Sequence, residues 1–561
     1  MNIKSFIEDN EMALKDIKEN RINHHLSLRK KEFYKILNNK RKLFLENDSL
    51  TSNISNNNNS SDLFNNNIFK LLSNEQILEE IDKLQKQKVI INNNFTEISQ
   101  CLLSLDYQMN KNILNSINFI EENKIYIFLI DFIGKIFNSS YEDNLNTINN
   151  IEQLVNKALQ ILFRYSSNKD NNSQMINYIL VDKKINIFNQ IILSFTNNDF
   201  QSKIFLNKTK KTEILLITII ILHNLSIESQ IFFNSLQNMK IGENLISIVN
   251  NKNNNININD NNIIYFIYFF SLYLLDKDVK NKEEDFIINI CEFLNRKGII
   301  SSNLKAQEIS LNCLCNITSL FESEKLYKNI IYSGIFDNIL KIIKTSKTIY
   351  PILVALKIVN NILTEENIDL NIFIKSDLCS SLMNLIINYE KNMKNLTPDL
   401  LHHIISIFLY LTKSPLFYHL INYNLNFIII LVELIGRISN EVTHDILTFI
   451  HMVIKESYRI SEKIIFNNKE LIIKLISLIK EDCHNYKITT MSGIILSKLI
   501  KHIDGNNDEE NEDNNSNFNF HEYEEQIKNI IEIKLLNENE LNENLVKIFK
   551  AILGIIKEKN K

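Results

Sequence analysis

From about residue 73 onward, apolar residues recur at spacings of three and four, which gathers them on one face of a helix. The pattern predicts helix after helix. Two stretches are apolar almost throughout, "ILLITIIIL" (214–222) and "IIYFIYFFSLYLL" (263–275). Both fall short of the ~20 apolar residues that span a bilayer as a helix, so they read as buried helices. Residues 1–48 have another texture, charged and helix-prone, and 49–72 form a Ser/Asn tract that cannot bury much apolar surface. A second break, "DGNNDEENEDNN" (504–515), holds six acidic and no basic residues, which marks a solvated loop before a last helical segment.

The body repeats itself. "IIYSGIFDNILKIIKTS" (330–346), "FIKSDLCSSLMNLIIN" (373–388), "LINYNLNFIIILVELIG" (420–436) and "IFNNKELIIKLISLIK" (465–480) each carry a loop-like centre followed by an amphipathic helix. A further helix follows each, with matching positions at Asn224, Tyr273, Asn316, Asn361, Tyr410, Val453 and Lys498, spaced 43 to 49 residues apart. That period fits armadillo or HEAT units of roughly 40–47 residues. One unit cannot bury its apolar face alone, so neighbours must stack. The expected fold is an all-α, right-handed superhelical solenoid of armadillo repeats whose third helices line a concave groove, with a flexible basic arm at the N-terminus. The expected organisation is an arm (1–48), a linker (49–72), a repeat array (73–503), an acidic Asn-rich loop (504–520) and a capping repeat (521–561).

Composition supports this reading, because 8 Gly and 3 Pro in 561 residues are too few turn formers for a many-stranded sheet. Six scattered cysteines, Cys101, Cys291, Cys313, Cys315, Cys379 and Cys483, sit in apolar runs, as buried thiols of a reducing compartment would. The first forty residues lack the apolar core of a secretory leader, so none is expected. No Gly-rich phosphate loop, zinc-protease helix or Cys-x-x-Cys pair occurs, so neither catalysis nor a cofactor is expected. Cys313 and Cys315 would point apart on a helix, and His402 and His403 read as ordinary residues of a helix capped by Thr397 with Pro398 first.

Charge singles out the arm. Residues 15–42 hold ten Lys or Arg against three Asp or Glu, a net of plus seven in a chain of formal charge −4. Leu28, Phe33, Ile36 and Leu37 would form an apolar edge beside that charge. Such a helix suits an acidic partner, and by pattern alone it equally suits nucleic acid, an acidic lipid surface or plain solvation.

In order and spacing these segments resemble the importin-alpha (karyopherin-alpha) family of armadillo-repeat adaptors, as a divergent member. "LRK" (28–30) and "KRK" (40–42) resemble the family's two basic arm motifs, and "SNEQILEEI" (73–81) its entry into the first repeat. "QEISLNCLCNITSL" (307–320) and "ALKIVNNILT" (355–364) resemble its middle repeats, and "NENELNENLVKIFKAILGII" (537–556) its closing one. The resemblance implies a nuclear import adaptor shuttling between cytoplasm and nucleus. Importin-beta would bind the arm through Arg21, Arg29, Lys30, Lys31, Lys40, Arg41 and Lys42. The groove would hold basic nuclear-localisation signals of cargo through Asn224, Glu228, Phe269, Tyr273, Asn316, Asn361 and Lys357, with Glu228 receiving the critical cargo lysine. It further implies an export receptor at the C-terminal repeats, self-inhibition by the tethered second basic cluster, and neither membrane insertion nor direct nucleic-acid binding. An armadillo scaffold for other extended or acidic partners, without transport, is the alternative.

The chain departs from the family in having no Trp. The family's Trp positions fall on Leu159, Ile220, Phe269, Asn312, Ser406 and Phe449, with Lys357 where the family itself is basic, so only Phe269 and Phe449 are expected to offer an aromatic face. The family's Asn positions fall on Phe163, Asn224, Tyr273, Asn316, Asn361, Tyr410 and Val453. Cargo binding is therefore expected mainly near Asn224 and Glu228, with a second site toward Tyr410 and Val453 that is weak or reads something other than lysine.

Overall fold

The computed structural model describes residues 71–86, 95–138, 145–167, 172–195, 208–250, 266–267, 269–270, 284–321, 323–365, 367–387, 397–456, 469–480, 486–504, 521–536 and 543–559. The basic arm and nearly all of the linker lie outside them. The chain divides into two compact units, residues 1–321 and 322–561, a partition of the array that the repeat pattern does not announce.

The first unit opens with α1 (Asn74–Lys86) and α2 (Phe95–Lys111), then runs in repeats. These are α3 (Ile113–Glu122), α4 (Ile125–Asn138) and α5 (Leu145–Ser166), followed by α6 (Asn172–Val181), α7 (Ile185–Leu193) and α8 (Lys208–Glu228). Next come α9 (Gln230–Asn238) and α10 (Ile241–Asn250), then α11 (Glu284–Phe293) with a π-helical turn, Leu294–Ile299, leading to α12 (Leu304–Leu320). The second unit continues with α13 (Glu324–Tyr332), α14 (Ile335–Thr345) and α15 (Ile349–Leu363), then α16 (Leu370–Lys375), α17 (Leu378–Ile387) and α18 (Pro398–Leu411). It is completed by α19 (Pro415–Tyr423), α20 (Asn426–Leu434), α21 (Asn440–Glu456), α22 (Lys469–Lys480), α23 (Tyr486–Asp504), α24 (His521–Leu536) and α25 (Glu543–Lys559).

Each unit is an all-α stack of armadillo-type repeats. Third helices pack on third helices: α2 on α5 and α5 on α8 in the first unit, and α15, α18, α21 and α23 in succession in the second. Second helices form a parallel row, α4–α7–α10 and α14–α17–α20–α22, while α25 closes the second stack on α23. Three hydrogen-bonded pairs in the second unit are each 43 residues apart: Asn360–His403, His402–Asp445 and Asn371–Ser414. His402 and Asp445 hold equivalent places on consecutive third helices, so that bond follows the repeat spacing directly. In the first unit, bonds between adjacent third helices span 53 residues for Gln160–Glu213 and 58 for Asp106–Arg164.

Local signals set the helix ends. Thr397 accepts from Leu400 N–H at 3.3 Å and Pro398 stands first in α18, as the sequence implies. In four repeats the first helix ends where the backbone turns left-handed, at Lys124, Lys183 and Lys240 (φ 52, 53 and 54) and at Gly334 (φ 84). At one of these ends, Lys184 N–H reaches Ile179 C=O (2.9 Å) and Lys183 N–H reaches Leu180 C=O (3.3 Å), the paired bonds of a Schellman cap. A side chain in that conformation costs about 1 kcal/mol relative to glycine. Lys183→Gly is therefore expected to stabilise the protein by about 1 kcal/mol in a urea titration, whereas Lys183→Ala should not.

The core lies between the helix rows. The five cysteines among the described residues, Cys101, Cys291, Cys313, Cys315 and Cys379, are buried and unbridged, and burial pushes the Cys101 and Cys379 thiols up to about 12. They act as small apolar residues. The apolar stretch 214–222 is buried within α8 except for Ile220, and no single described helix is long and apolar enough to cross a membrane.

Candidate peptide-binding face

Third helices are covered on most sides by their neighbours, so each leaves only a narrow stripe in contact with solvent. On α15 the stripe runs through Leu353, Lys357, Asn360, Asn361 and Thr364, and on α12 through Glu308, Asn312, Asn316 and Ser319. Asn316, Asn361 and Lys357 are partly exposed side chains of third helices, as is Asn312. The Asn312 amide donates to Glu308 C=O in its own helix at 2.9 Å.

Elsewhere the register needs correction. Asn224 does not present its amide to a groove. It is 4% exposed, and its Nδ2 donates to Ser166 Oγ at 3.3 Å and lies 3.5 Å from Ser167 Oγ, so it ties α8 to the end of α5. Phe269 and Phe449 are both fully buried and offer no aromatic face. The Phe269 ring packs on Phe270 (6.1 Å between centroids), and Phe449 completes a cluster with Phe408 (5.7 Å), Phe427 (6.2 Å) and Phe417 (6.5 Å). Leu159, Ser406 and Val453 are likewise buried. On α5 and α21 the accessible stripe is displaced by one residue, to Gln160, and to Thr448 and Met452. Glu228, the last residue of α8, is partly exposed and engaged in an interaction of its own. Tyr410 is partly exposed with the Lys413 ammonium 5.5 Å from its ring centre. Tyr273 and the arm residues Arg21, Arg29, Lys30, Lys31, Lys40, Arg41 and Lys42 lie outside the described residues.

The stripe also carries side-chain pairs between adjacent third helices that the sequence reading did not anticipate. Across α2 and α5, Asp106 accepts from Lys157 Nζ (2.9 Å) and from Arg164 Nη1 (2.7 Å), using both oxygens. Gln160 on α5 donates to Glu213 on α8 at 3.0 Å. In the second unit Asn360 donates to His403 C=O (3.1 Å), and His402 pairs with Asp445. The two second-unit pairs are 43 residues apart, within the spacing read from the sequence, whereas the first-unit pairs, 51 to 58 residues apart, fall outside it.

Further along the second unit the balance of charge changes. Burial, reinforced by Lys498 and Lys455, pushes the His451 imidazole down to about 3. Burial and Lys455 push the Lys498 ammonium down to about 8, against the opposing pull of Glu456.

No protein-family model matches the chain, and no curated protein matches it. Among solved structures it is similar to the designed armadillo repeat protein YIII(Dq.V1)4CPAF in complex with the peptide (KR)4, at 14% identity, a TM-score of 0.35 and coverage of 48% of this chain and 98% of that one. It is also similar to the designed armadillo repeat protein YIII(Dq)4CqI, at 16% identity, a TM-score of 0.36 and coverage of 48% and 99%. The armadillo-type repeat of this chain is carried by its own helix order and by the packing of third helices on third helices.

Proposed function

We propose that this chain is a peptide-binding adaptor of the importin-alpha kind, holding basic cargo signals along its third helices and engaging importin-beta through residues 1–48. The observation that supports this reading is the stacking of third helices within each unit, which repeats partly exposed polar side chains at regular intervals along one face. An amide there can donate to and accept from an extended peptide backbone whatever its sequence. The plus-seven arm ahead of a Ser/Asn tract supplies the second half of the reading, a tethered cationic segment for an acidic carrier. In this proposal the protein has no catalytic role and shuttles between cytoplasm and nucleus, with release through an export receptor at its C-terminal repeats. The burial of Asn224, Phe269 and Phe449 favours one other reading, an armadillo scaffold for a different extended partner without transport.

Mixing the full chain with importin-beta at low and high salt separates the two. The adaptor reading expects tight, salt-sensitive binding, weakened at least ~100-fold when Arg29, Lys30, Lys31, Lys40, Arg41 and Lys42 are all replaced by Gln. Absence of binding by the natural chain leaves the scaffold. For the face itself, Glu228→Arg should weaken a lysine-rich cargo peptide about tenfold. Unchanged affinity would remove Glu228 from the site.

A further inference from the structure

We propose that the junction between α15 and α18 is an acid-labile seam in the second unit, because one of the bonds that tie it, Asn360 to the His403 ring, exists only while that imidazole is neutral. The proposal goes beyond the adaptor reading and does not depend on it.

Two adjacent histidines of α18 tie it to the third helices on either side. Toward α15, Asn360 Nδ2 lies 3.1 Å from His403 C=O and 3.1 Å from His403 Nδ1. A carbonyl oxygen only accepts, so the group facing it is the Asn360 NH2 and not its oxygen. The same NH2 turns its second hydrogen to Nδ1, which must therefore carry a lone pair. His403 is bonded as the neutral tautomer, with its proton on Nε2. A proton added to Nδ1 would set two donors against each other. Turning the amide over gives no remedy, since it would bring Asn360 Oδ1 against His403 C=O, and turning the ring away loses the bond outright. Asn360 Oδ1 is buried without a hydrogen-bond partner among the described residues, so the amide holds α18 through its NH2.

Toward α21 the wiring is reversed. His402 Nδ1 pairs with Asp445 Oδ2, a carboxylate oxygen that accepts, so this nitrogen carries a proton whether its ring is neutral or charged. Acid leaves that bond intact. The two imidazoles meet edge to face with 5.4 Å between their centres, so charging both sets two cations side by side. Within about one turn of the bonded residues stand Lys357 of α15, Asp399 of α18, and Glu441 and His444 of α21. Their charges bias how readily either ring takes a proton, but not which bond the proton breaks. A bond that needs the neutral ring contributes stability at high pH and is lost as the pH falls.

The test is a pair of double-mutant cycles on the urea transition of the second unit in the full chain, run at about pH 8 and about pH 5, on either side of histidine titration. Asn360→Leu with His403→Phe isolates the ring bond, because Phe keeps the backbone C=O and offers no nitrogen. The coupling is expected to be about fivefold in the unfolding equilibrium constant at the higher pH and to vanish at the lower. Asp445→Leu with His402→Phe should show a coupling at least as large at the lower pH as at the higher. Equal coupling of Asn360 and His403 at both pH values, or none at the higher, overturns the proposal. Loss of both couplings in acid overturns it equally, since the stack would then be loosening throughout rather than at one seam. Should His403→Phe fail to fold, Asn360→Leu alone carries the test: its urea midpoint should fall further below that of the natural chain at the higher pH, and an equal fall at both overturns the seam.

Discussion

Phe449→Ala is expected to lower the stability of the second unit by about 3–5 kcal/mol, read as a reduced urea midpoint with an unchanged slope. The ring is fully buried and meets Phe408 of α18, Phe417 of α19 and Phe427 of α20, so one side chain joins all three helices of a repeat to the next third helix. Truncation removes its apolar burial and leaves a cavity that rigid helices on every side cannot close. The same substitution also decides the ring's role. A groove aromatic would lose peptide affinity and almost no stability, so a change under about 1 kcal/mol together with weakened peptide binding would return Phe449 to the groove.

Asp106→Asn is expected to cost about 2–3 kcal/mol, less than a fully buried pair because Lys157 keeps 29% of its side chain exposed. The substitution preserves shape but withdraws the anion from two cations, one of which, Arg164, is only 13% exposed. The loss should therefore be mostly recovered when Arg164→Met is added, since the stranded guanidinium is the source of the penalty. Full additivity of the two changes would show that Asp106 and Arg164 do not act as a pair. The triad fills the α2–α5 face with contacts made within the protein.

The fold was legible in the sequence because two independent signals agreed: apolar spacing of three and four within helices, and self-similarity 43 to 49 residues apart between them. Thr397 and Pro398 gave a helix start correctly, and Asn312, Asn316, Lys357 and Asn361 fell on the accessible stripe. The left-handed lysines were not legible. Lysine carries no preference for that conformation, so Lys124, Lys183 and Lys240 look like ordinary surface residues, whereas Gly334 marks the equivalent turn openly. Neither were the charge pairs of the face, because Asp106 and its partners are 51 and 58 residues apart, beyond the regular period.

The candidate site was read less well than the fold for a geometric reason. Successive residues on a helix are about 100° apart, so an error of one position rotates a side chain from the solvent stripe into the core. Where a third helix is apolar all round, as in "ILLITIIIL", no polar neighbour marks the stripe, and Asn224 reads as a groove residue when it is a buried bond between repeats.

By itself the sequence determined the all-α repeat, its period and the concentration of positive charge in residues 15–42, since these depend on spacing and composition along the chain. Only the tertiary structure decided which member of each neighbouring pair faces outward, and that Asn224 is a buried tie between repeats while Asp106 is shared by two cations. Those outcomes follow from how closely adjacent third helices cover one another, a property of the stack that no single segment carries.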